Sequence, residues 1–431
     1  MSVSARALGG ALAAAVPSGA VSDDPAALAG MAVDGLTPRW VARPGSLDDV
    51  SQLLALAHDA GLAVVPRGSG TAQALGNPPV RLDIVLDLSG LQGVVEHNPD
   101  DLTLTVRVGT TAGALAAHLA PYRQWLPLDP PGWSGRSLGG LAATAASGPL
   151  RVRYGTMRDL LLGVRFVQAD GVSTWGGAKV VKSVTGYDVP KLMVGALGTL
   201  GVLGELTLRL HPAPTFEATF LVSFETPDAA LEVAARALDS TLQPSRLEYA
   251  DARALAACGL PRAAAGLVVS IGTAEPAVRA QQAEFAELAA RARGHLQTMG
   301  AGFWRTWERV TAAGGIVLRL TTLPDRLTAA LADARTAAPE AATTATCGAG
   351  VARVVLDGGD ARAVAALVER LRAGVAAADG SVVVERAPRT VRELVDPWGP
   401  VEPGALALMR ALKTEFDPLG LLNPGRFVGG L

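Results

Sequence analysis

Cysteine is almost missing from this chain, with only Cys258 and Cys347 among 431 residues and no C-x-x-C pair. Two distant thiols cannot supply a zinc site or an iron–sulfur cluster from this chain alone, and they read as buried thiols, with a disulfide left open. Aromatic residues are also scarce, at 4%, and no basic run interleaves with them. Neither charge sign dominates: 38 Lys and Arg face 40 Asp and Glu, a net charge of −2. That balance offers no long-range field for a polyanion, so it argues against nucleic-acid binding and against membrane association by charge. Long apolar runs are lacking too, and none approaches the roughly 20 residues that cross a bilayer. The N-terminal ARALGGALAAAVPSGA has one Arg and no leucine-rich core, so it reads as an Ala-rich helix rather than a secretory signal, and a cytoplasmic location is expected.

Small residues are abundant instead. Forty-nine glycines and a 49% hydrophobic content, against 18% charged, describe a globular chain with a large core. Its length exceeds what one ordinary core supports, so two or more folding units are expected.

The glycines concentrate at informative places. In LPLDPPGWSGRSLGGLAATAASG, Leu126 to Gly148, proline-fixed backbone gives way to Gly139 and Gly140 and then to small residues. Paired glycines let main-chain N–H groups face outward, and Leu141 to Ser147 reads as a short helix whose N-terminus attracts negative charge. This stretch is either half of a diphosphate cradle or a tight loop leading into a close-packed Ala-rich helix. A second stretch, PRGSGT from Pro66 to Thr71, follows a buried strand, Leu62 to Val65, and offers successive N–H donors, the hydroxyls of Ser69 and Thr71, and Arg67 as counter-charge. It lacks the Lys of a Walker loop and has Gln73 where the Rossmann spacing needs glycine. Both an NTPase and an NAD-binding reading lose ground, and a plain turn remains the alternative.

Around these loops the pattern gives a short strand at Thr37 to Val41, a helix at Gly45 to Ala60 capped by Ser46, and strands at Ile84 to Leu88 and Thr103 to Val108. A helix from Ala112 to Leu119 capped by Thr110 or Thr111 and a strand at Leu162 to Gln168 follow. GALGTLGVLG, Gly195 to Gly204, then leads into a strand at Glu205 to Leu210. In the second half, strands at Glu217 to Phe224, Gly266 to Gly272, Ile316 to Leu320, Val351 to Val355 and Val382 to Glu385 alternate with helices at Ala277 to Leu296, Leu327 to Thr336 and Ala361 to Ala378. That alternation suggests an antiparallel, ferredoxin-like sheet, without a visible sequence repeat. Phe303-Trp304-Arg305-Thr306-Trp307 is the one aromatic cluster, read first as a packing patch and second as a flavin or subunit interface.

Taken together, these stretches resemble the FAD-binding flavoproteins of the vanillyl-alcohol-oxidase and p-cresol-methylhydroxylase type. The likeness runs from about Thr37 to Pro212 and returns in the closing FDPLGLLNPGRF, Phe416 to Phe427. It implies an α+β fold: a two-part α/β FAD-binding domain over 37–212 after an N-terminal segment (1–36), a ferredoxin-like antiparallel cap over 213–390, and a tail over 391–431 that returns to the FAD-binding domain. It also implies FAD contacts at Pro66, Arg67, Gly68, Ser69, Gly70, Thr71, Asp129, Pro130, Ser137, Leu138, Gly139, Gly140, Ala143, Thr144, Ser147, Gly148, Gly201, Val202 and Arg426. Residues 66–76 contain no His or Cys, so the FAD is expected to be noncovalent.

Within the family, TLTVRVGTTAGALAAHL and KSVTGYDVPKLMVGALGTLGVLGELTLRL are most similar to the FAD-binding subunits of bacterial glycolate oxidases. This implies a related flavin subunit and an iron–sulfur subunit as partners, a small hydroxy-acid substrate, and a location in the cytoplasm or at the inner membrane through the complex. Two departures stand out. Ala145 replaces the Asn of the common ATNAGG stretch, and no H-x-G-D-G-N-x-H stretch supplies metal ligands, so no metal site is expected. The five histidines, His58, His97, His118, His211 and His295, read as surface or structural groups. No catalytic residue is assigned. Arg319 or Arg353 is nominated to hold a carboxylate, with Tyr187 and Lys182 placed near the flavin by resemblance alone. Three readings stay open: a subunit of a glycolate-oxidising complex, a self-sufficient FAD-dependent alcohol or hydroxy-acid oxidoreductase, and a non-catalytic flavin-domain scaffold.

Overall fold

A computed structural model describes residues 5–179, 186–300 and 302–431; Lys182 lies outside them. Valine- and leucine-rich runs build the first sheet. Trp40–Arg43, Ile84–Asp87 and Val64–Arg67 lie parallel in that spatial order, with Ala20–Ser22 antiparallel on the outer edge. Both faces are covered, as in parallel sheets generally. Ala42, Val64, Ile84 and Leu86 enter the main core, while Val41, Val65 and Val85 pack on the opposite side with Val33 and Leu82. The helix Leu47–Asp59 begins where expected, because Ser46 Oγ accepts the Asp49 N–H at 3.1 Å.

A second, antiparallel sheet runs Val94–Asn98, Thr103–Arg107, Val202–Arg209, Leu161–Val167, Ser173–Gly177. The helix Ala112–Leu119 is capped by Thr111, whose Oγ1 accepts the Ala114 N–H at 3.2 Å.

The third sheet has eight antiparallel strands: His295–Thr298, Phe216–Phe224, Ala265–Thr273, Arg246–Asp251, Ala342–Thr346, Val351–Leu356, Ile316–Thr321 and Ser381–Arg386. In each half the strand order is the 4-1-3-2 order of a ferredoxin-like unit, so the cap is two such units joined edge to edge. They meet through three residue pairs only: Glu248 with Thr346, Tyr249 with Ala345, and Ala250 with Thr344. Helices cover one face over a core containing Phe220, Tyr249, Phe285, Leu318 and Val368.

Two strands, Arg246–Asp251 and Ala342–Thr346, carry no strong apolar signal; RLEYAD and ATTAT are polar sequences held in a buried position. The expected helix Ala277 to Leu296 is shorter, Glu275–Arg291. Arg293 adopts φ 56°, and a Cβ at Gly294 would lie 2.6 Å from the Phe224 ring, so the chain turns there and His295–Thr298 pairs with Phe216–Phe224. The aromatic cluster is a packing patch: Phe303 and Trp307 are buried against Leu221, Leu255 and Val268, and Trp304 Nε1 donates to Ser270 Oγ at 2.8 Å. Both cysteines are free and buried.

The C-terminal segment reaches back to the first sheet. Val64 N–H donates to Leu421 O at 2.8 Å and Asn423 N–H to Val64 O at 2.9 Å, extending the parallel ladder by one more chain segment. Buried Lys413 fixes this segment by donating to Asp417 Oδ2 (2.6 Å), Thr199 O (2.8 Å) and Leu422 O (3.1 Å). No helix among the described residues is long and apolar enough to cross a membrane.

Candidate functional site

The strand Val64–Arg67 ends in the loop Gly68 to Thr71, and the Leu126 to Gly148 stretch comes to meet it at Ser137. Ser137 N–H donates to Ser69 Oγ at 3.0 Å, and Ser69 N–H donates to Ser137 Oγ at 3.3 Å. Two turns far apart in sequence are thus joined by reciprocal hydrogen bonds. A Cβ at Gly68 would lie 2.1 Å from Ser137 Oγ, so only glycine permits this approach. Gly70 has φ 73°, and a Cβ there would fall 2.6 Å from the Arg67 guanidinium.

The short helix begins earlier than the sequence suggests, at Leu138–Ala143 rather than Leu141 to Ser147. Leu138 and Gly139 N–H donate to the Thr110 and Val108 carbonyls, both at 2.9 Å, which starts the helix at Ser137. The role expected of Gly139 therefore changes: its N–H is taken, its torsions are helical, and a Cβ would strike Val108 Cβ at 2.7 Å. Gly139 allows close packing on a strand. Among the described residues no backbone carbonyl outside the helix accepts the Gly140 N–H, the donor this first turn leaves over.

A third segment closes the cleft. Gly195 and Leu197 N–H donate to the Ala142 and Ala143 carbonyls, both at 2.9 Å, and Leu197 (φ 52°) and Gly198 (φ 69°) turn beside Pro66. Asn423 Nδ2 donates to Leu197 O, and Arg426 donates to Gln73 Oε1 at 2.9 Å and Leu75 O at 3.0 Å. Arg426 Nε is buried with no hydrogen-bond partner, and burial draws the Arg426 pKa down to about 10.

The cleft has two adjoining lobes of about 70 Å³ each. Pro66, Arg67, Gly68, Ser137, Gly140, Ala143 and Leu197 line both, Gly139 and Gly201 one, and Ser69, Gly70, Thr71, Thr144 and Arg426 the other. It continues past Thr71, Ala72 and Thr144 into a cavity of about 300 Å³ between the first two sheets and the cap, where Pro130 and Ser147 also sit. Four expected contact residues lie elsewhere. Leu138, at the start of the short helix, and Val202, at the start of its strand, are core side chains at 0% exposure. Gly148 packs on Asp129, where a Cβ would lie 2.0 Å from the carbonyl oxygen. Asp129 itself accepts Leu150 N–H at 2.9 Å and Arg246 Nε at 2.8 Å, bracing the loop against the cap.

Glycine-only turns, a leftover helix N–H, hydroxyls and a buried cation fit the diphosphate of a dinucleotide, and the larger cavity continues from that end. Ala145 there holds φ 47°, a conformation Asn tolerates better than Ala.

The large cavity is rich in guanidinium. Arg353 Nε donates to Glu385 Oε2 at 2.9 Å, Arg353 Nη2 to Ser147 O at 3.3 Å, and Arg319 Nε approaches Glu385 Oε1 at 3.5 Å. Arg136 and Arg386 line the same space. Burial acts to raise the Glu385 carboxyl, but Arg353 and Arg319 outweigh it and hold its pKa below the usual range. Both arginines nominated from the sequence meet here. Arg136, Glu385 and Trp398 were missed: Arg136 sits beside the recognised loop, and nothing in the sequence around Glu385 announces it. Tyr187, at 95% exposure, lies outside the cavity lining. His97 and His118 pair with each other near Gln124, away from the cleft.

Behind Arg353, Glu248 is 3% exposed and its Oε1 has no hydrogen-bond partner. Burial, only partly offset by Thr346 and Arg353, pushes its pKa up to about 8. A carboxyl raised in the folded state stabilises fully below its ordinary value near 4.5 and loses that contribution as pH rises toward 8. Thermal stability is therefore expected to fall between about pH 5 and 8 in the parent chain and to stay flatter in Glu248→Gln, read by melting temperature across that range.

Comparison with known proteins settles the family. Residues 38–176 match the FAD binding domain, and residues 213–385 and 399–427 match the C-terminal domain of FAD linked oxidases. The chain belongs to the FAD-linked oxidases. Its cofactor is FAD, and the family is one of FAD-dependent oxidoreductases. It is 34% identical over 172 residues to glycolate oxidase subunit GlcE of Escherichia coli, covering 40% of this chain and 49% of that one. It is 34% identical over 224 residues to the probable mitochondrial D-lactate dehydrogenase of Danio rerio, covering 51% and 45%. The chain thus spans about half the length of these curated relatives. In fold it matches p-cresol methylhydroxylase with a TM-score of 0.79 at 14% identity, over 98% of this chain and 96% of the other.

Proposed function

We propose that this FAD-linked oxidase is a flavin-bearing subunit of a complex that oxidises a small 2-hydroxy acid such as glycolate, with an iron–sulfur partner as the onward electron carrier. The observation that carries the reading is the arginine-lined cavity directly continuous with the glycine cleft. Gly68, Ser69, Gly70, Ser137 and Gly140 would hold the diphosphate, with Arg426 bracing the loop after it. FAD, when bound, supplies a two-electron acceptor for the hydride at C2 of the hydroxy acid. Arg353 and Arg319 hold the carboxylate and so orient C2, and the cap excludes water from the cavity. Glu385 stays ionised between its arginines and is a poor proton acceptor near neutral pH, so no base is assigned. Likeness to a protein named as a glycolate oxidase subunit supports the subunit part of the reading.

The test is anaerobic addition of glycolate or D-lactate to the purified chain, followed by its flavin absorbance. Slow or partial bleaching alone, with fast turnover once co-purified flavin and iron-containing subunits are present, supports the subunit reading; fast bleaching alone favours a self-sufficient oxidoreductase, and a colourless protein a scaffold. Arg353→Lys keeps the charge but loses the forked geometry. It is expected to raise the hydroxy-acid concentration for half-reduction about tenfold or more while flavin content stays near stoichiometric.

A further inference from the structure

The geometry of His97 and His118 points to a further binding site on this chain, one for a single zinc-like divalent ion held by two imidazoles near the surface. It is independent of the hydroxy-acid reading above.

The fold brings the two rings together. His97 lies on the strand Val94–Asn98 and His118 in the last turn of the helix Ala112–Leu119, and both are half-buried. His118 Nε2 stands 3.3 Å from His97 Nδ1, and the ring centroids are 5.3 Å apart. Two imidazoles on one tetrahedral zinc, with Zn–N bonds of about 2.0–2.1 Å, place their nitrogens about 3.3 Å and their centroids about 5.2 Å apart. The spacing an ion needs is already present, so small tilts of the rings suffice to admit it.

The hydrogen bonds behind the rings decide which nitrogen is available. Gln124 Nε2 donates to Pro99 O at 2.7 Å, which leaves its Oε1 facing His97 Nε2 at 3.0 Å. In the neutral ring that nitrogen carries the proton, and the lone pair lies on Nδ1, toward His118. A buried group that holds the far nitrogen of a histidine is the outer support that metal ligands require. His118 Nε2 then donates to His97 Nδ1, and an arriving ion displaces that proton, through solvent, to His118 Nδ1. Tyr122 packs its ring against both histidines, with centroids 4.6 and 5.9 Å away, and steadies them.

No third His, Cys, Asp or Glu completes the set among the described residues. Glu96 points to the other face of the strand, where Asn98 and Lys179 engage it. The remaining positions on the ion fall to water, so the metal would be exchangeable. Imidazole ligands favour zinc, copper or nickel over magnesium or calcium, and the tetrahedral spacing favours zinc. Such an ion ties the strand to the end of a helix whose first residue holds the cradle loop, Ala112 N–H donating to Arg136 O at 2.9 Å.

The test uses the whole, untagged, FAD-loaded chain and zinc chloride, with binding read by calorimetry and the melting temperature followed as zinc rises. One equivalent is expected to bind and to raise the melting temperature. His118→Gln keeps an amide donor near the position of Nε2 but loses the imidazole. It is expected to weaken zinc by about a hundredfold or more and to abolish the zinc-dependent rise, while melting without zinc stays near the parent value. His97→Gln, altered on the strand side, should lose zinc as well and serves if the first variant folds poorly. Magnesium chloride should neither bind nor protect. Zinc binding that is absent from the parent, matched by magnesium, or unchanged in both variants overturns the inference.

Discussion

Gly68→Val protein is expected to fold and to purify without its yellow cofactor. The ideal Cβ at this position lies 2.1 Å from Ser137 Oγ and 3.0 Å from Ser137 Cβ, closer than atoms can approach. Valine must therefore push apart the two loops that Ser69 and Ser137 now tie together. Overpacking of this kind costs about 1–3 kcal/mol. Here the loops line a cleft, so the strain is relieved by opening it, at the expense of FAD affinity rather than of the sheets. The check is the flavin-to-protein absorbance ratio beside far-ultraviolet circular dichroism: a tenfold or greater drop in flavin, roughly 1.4 kcal/mol of binding, with an unchanged fold spectrum. Gly70→Val should act in the same direction, through its φ of 73° and the adjacent Arg67 guanidinium. If either variant retains stoichiometric flavin, the cradle is wrongly assigned. Gly139→Asp should also be colourless, but as a folding defect, since its Cβ would strike Val108 Cβ at 2.7 Å.

Lys413→Met is expected to destabilise the protein by about 3–5 kcal/mol, because it strands a buried carboxylate. Asp417 is 1% exposed and accepts, besides Lys413, the N–H groups of Leu421 and Leu422. Losing the ammonium also leaves the Thr199 and Leu422 carbonyls without that donor, loosening the Gly198 turn and the tail segment beside Val64 together. Denaturant titration measures the loss, and faster flavin release on dilution would show that the tail contributes to cofactor retention. Adding Asp417→Leu should recover only part of the stability, since that carboxylate also serves two backbone donors. Full recovery would mean that the ion pair, rather than the network, sets the tail's position.

Much of the site could be read from the sequence because glycine leaves a local signature. Gly68 and Gly70 stood out as a turn after a buried strand, and the structure brings that turn against Ser137. The aliphatic strands and the caps at Ser46 and Thr111 were legible for the same reason: their causes are short-range. What escaped depends on distant neighbours. Arg246–Asp251 and Ala342–Thr346 are strands because the sheet around them is already built, not because RLEYAD or ATTAT favours one. Asp129 looked like part of a phosphate loop until Arg246, 117 positions away, supplied its counter-charge. Glu385 is recognisable only once Arg319 and Arg353 are placed on adjacent strands, and the doubling of the cap is carried by topology, with no matching residues to betray it.

That doubling bears on how the chain is made. As synthesis proceeds from the N-terminus, the first half of the cap can complete its own four strands while Arg246–Asp251 still exposes an unpaired backbone edge. Only when Ala342–Thr346 emerges, about 90 residues later, is that edge covered. A ribosome that stalls between them leaves a half-built cap with an open strand, free to pair with its equivalent on a neighbouring nascent chain, so truncation in this interval should yield aggregates rather than a smaller soluble domain.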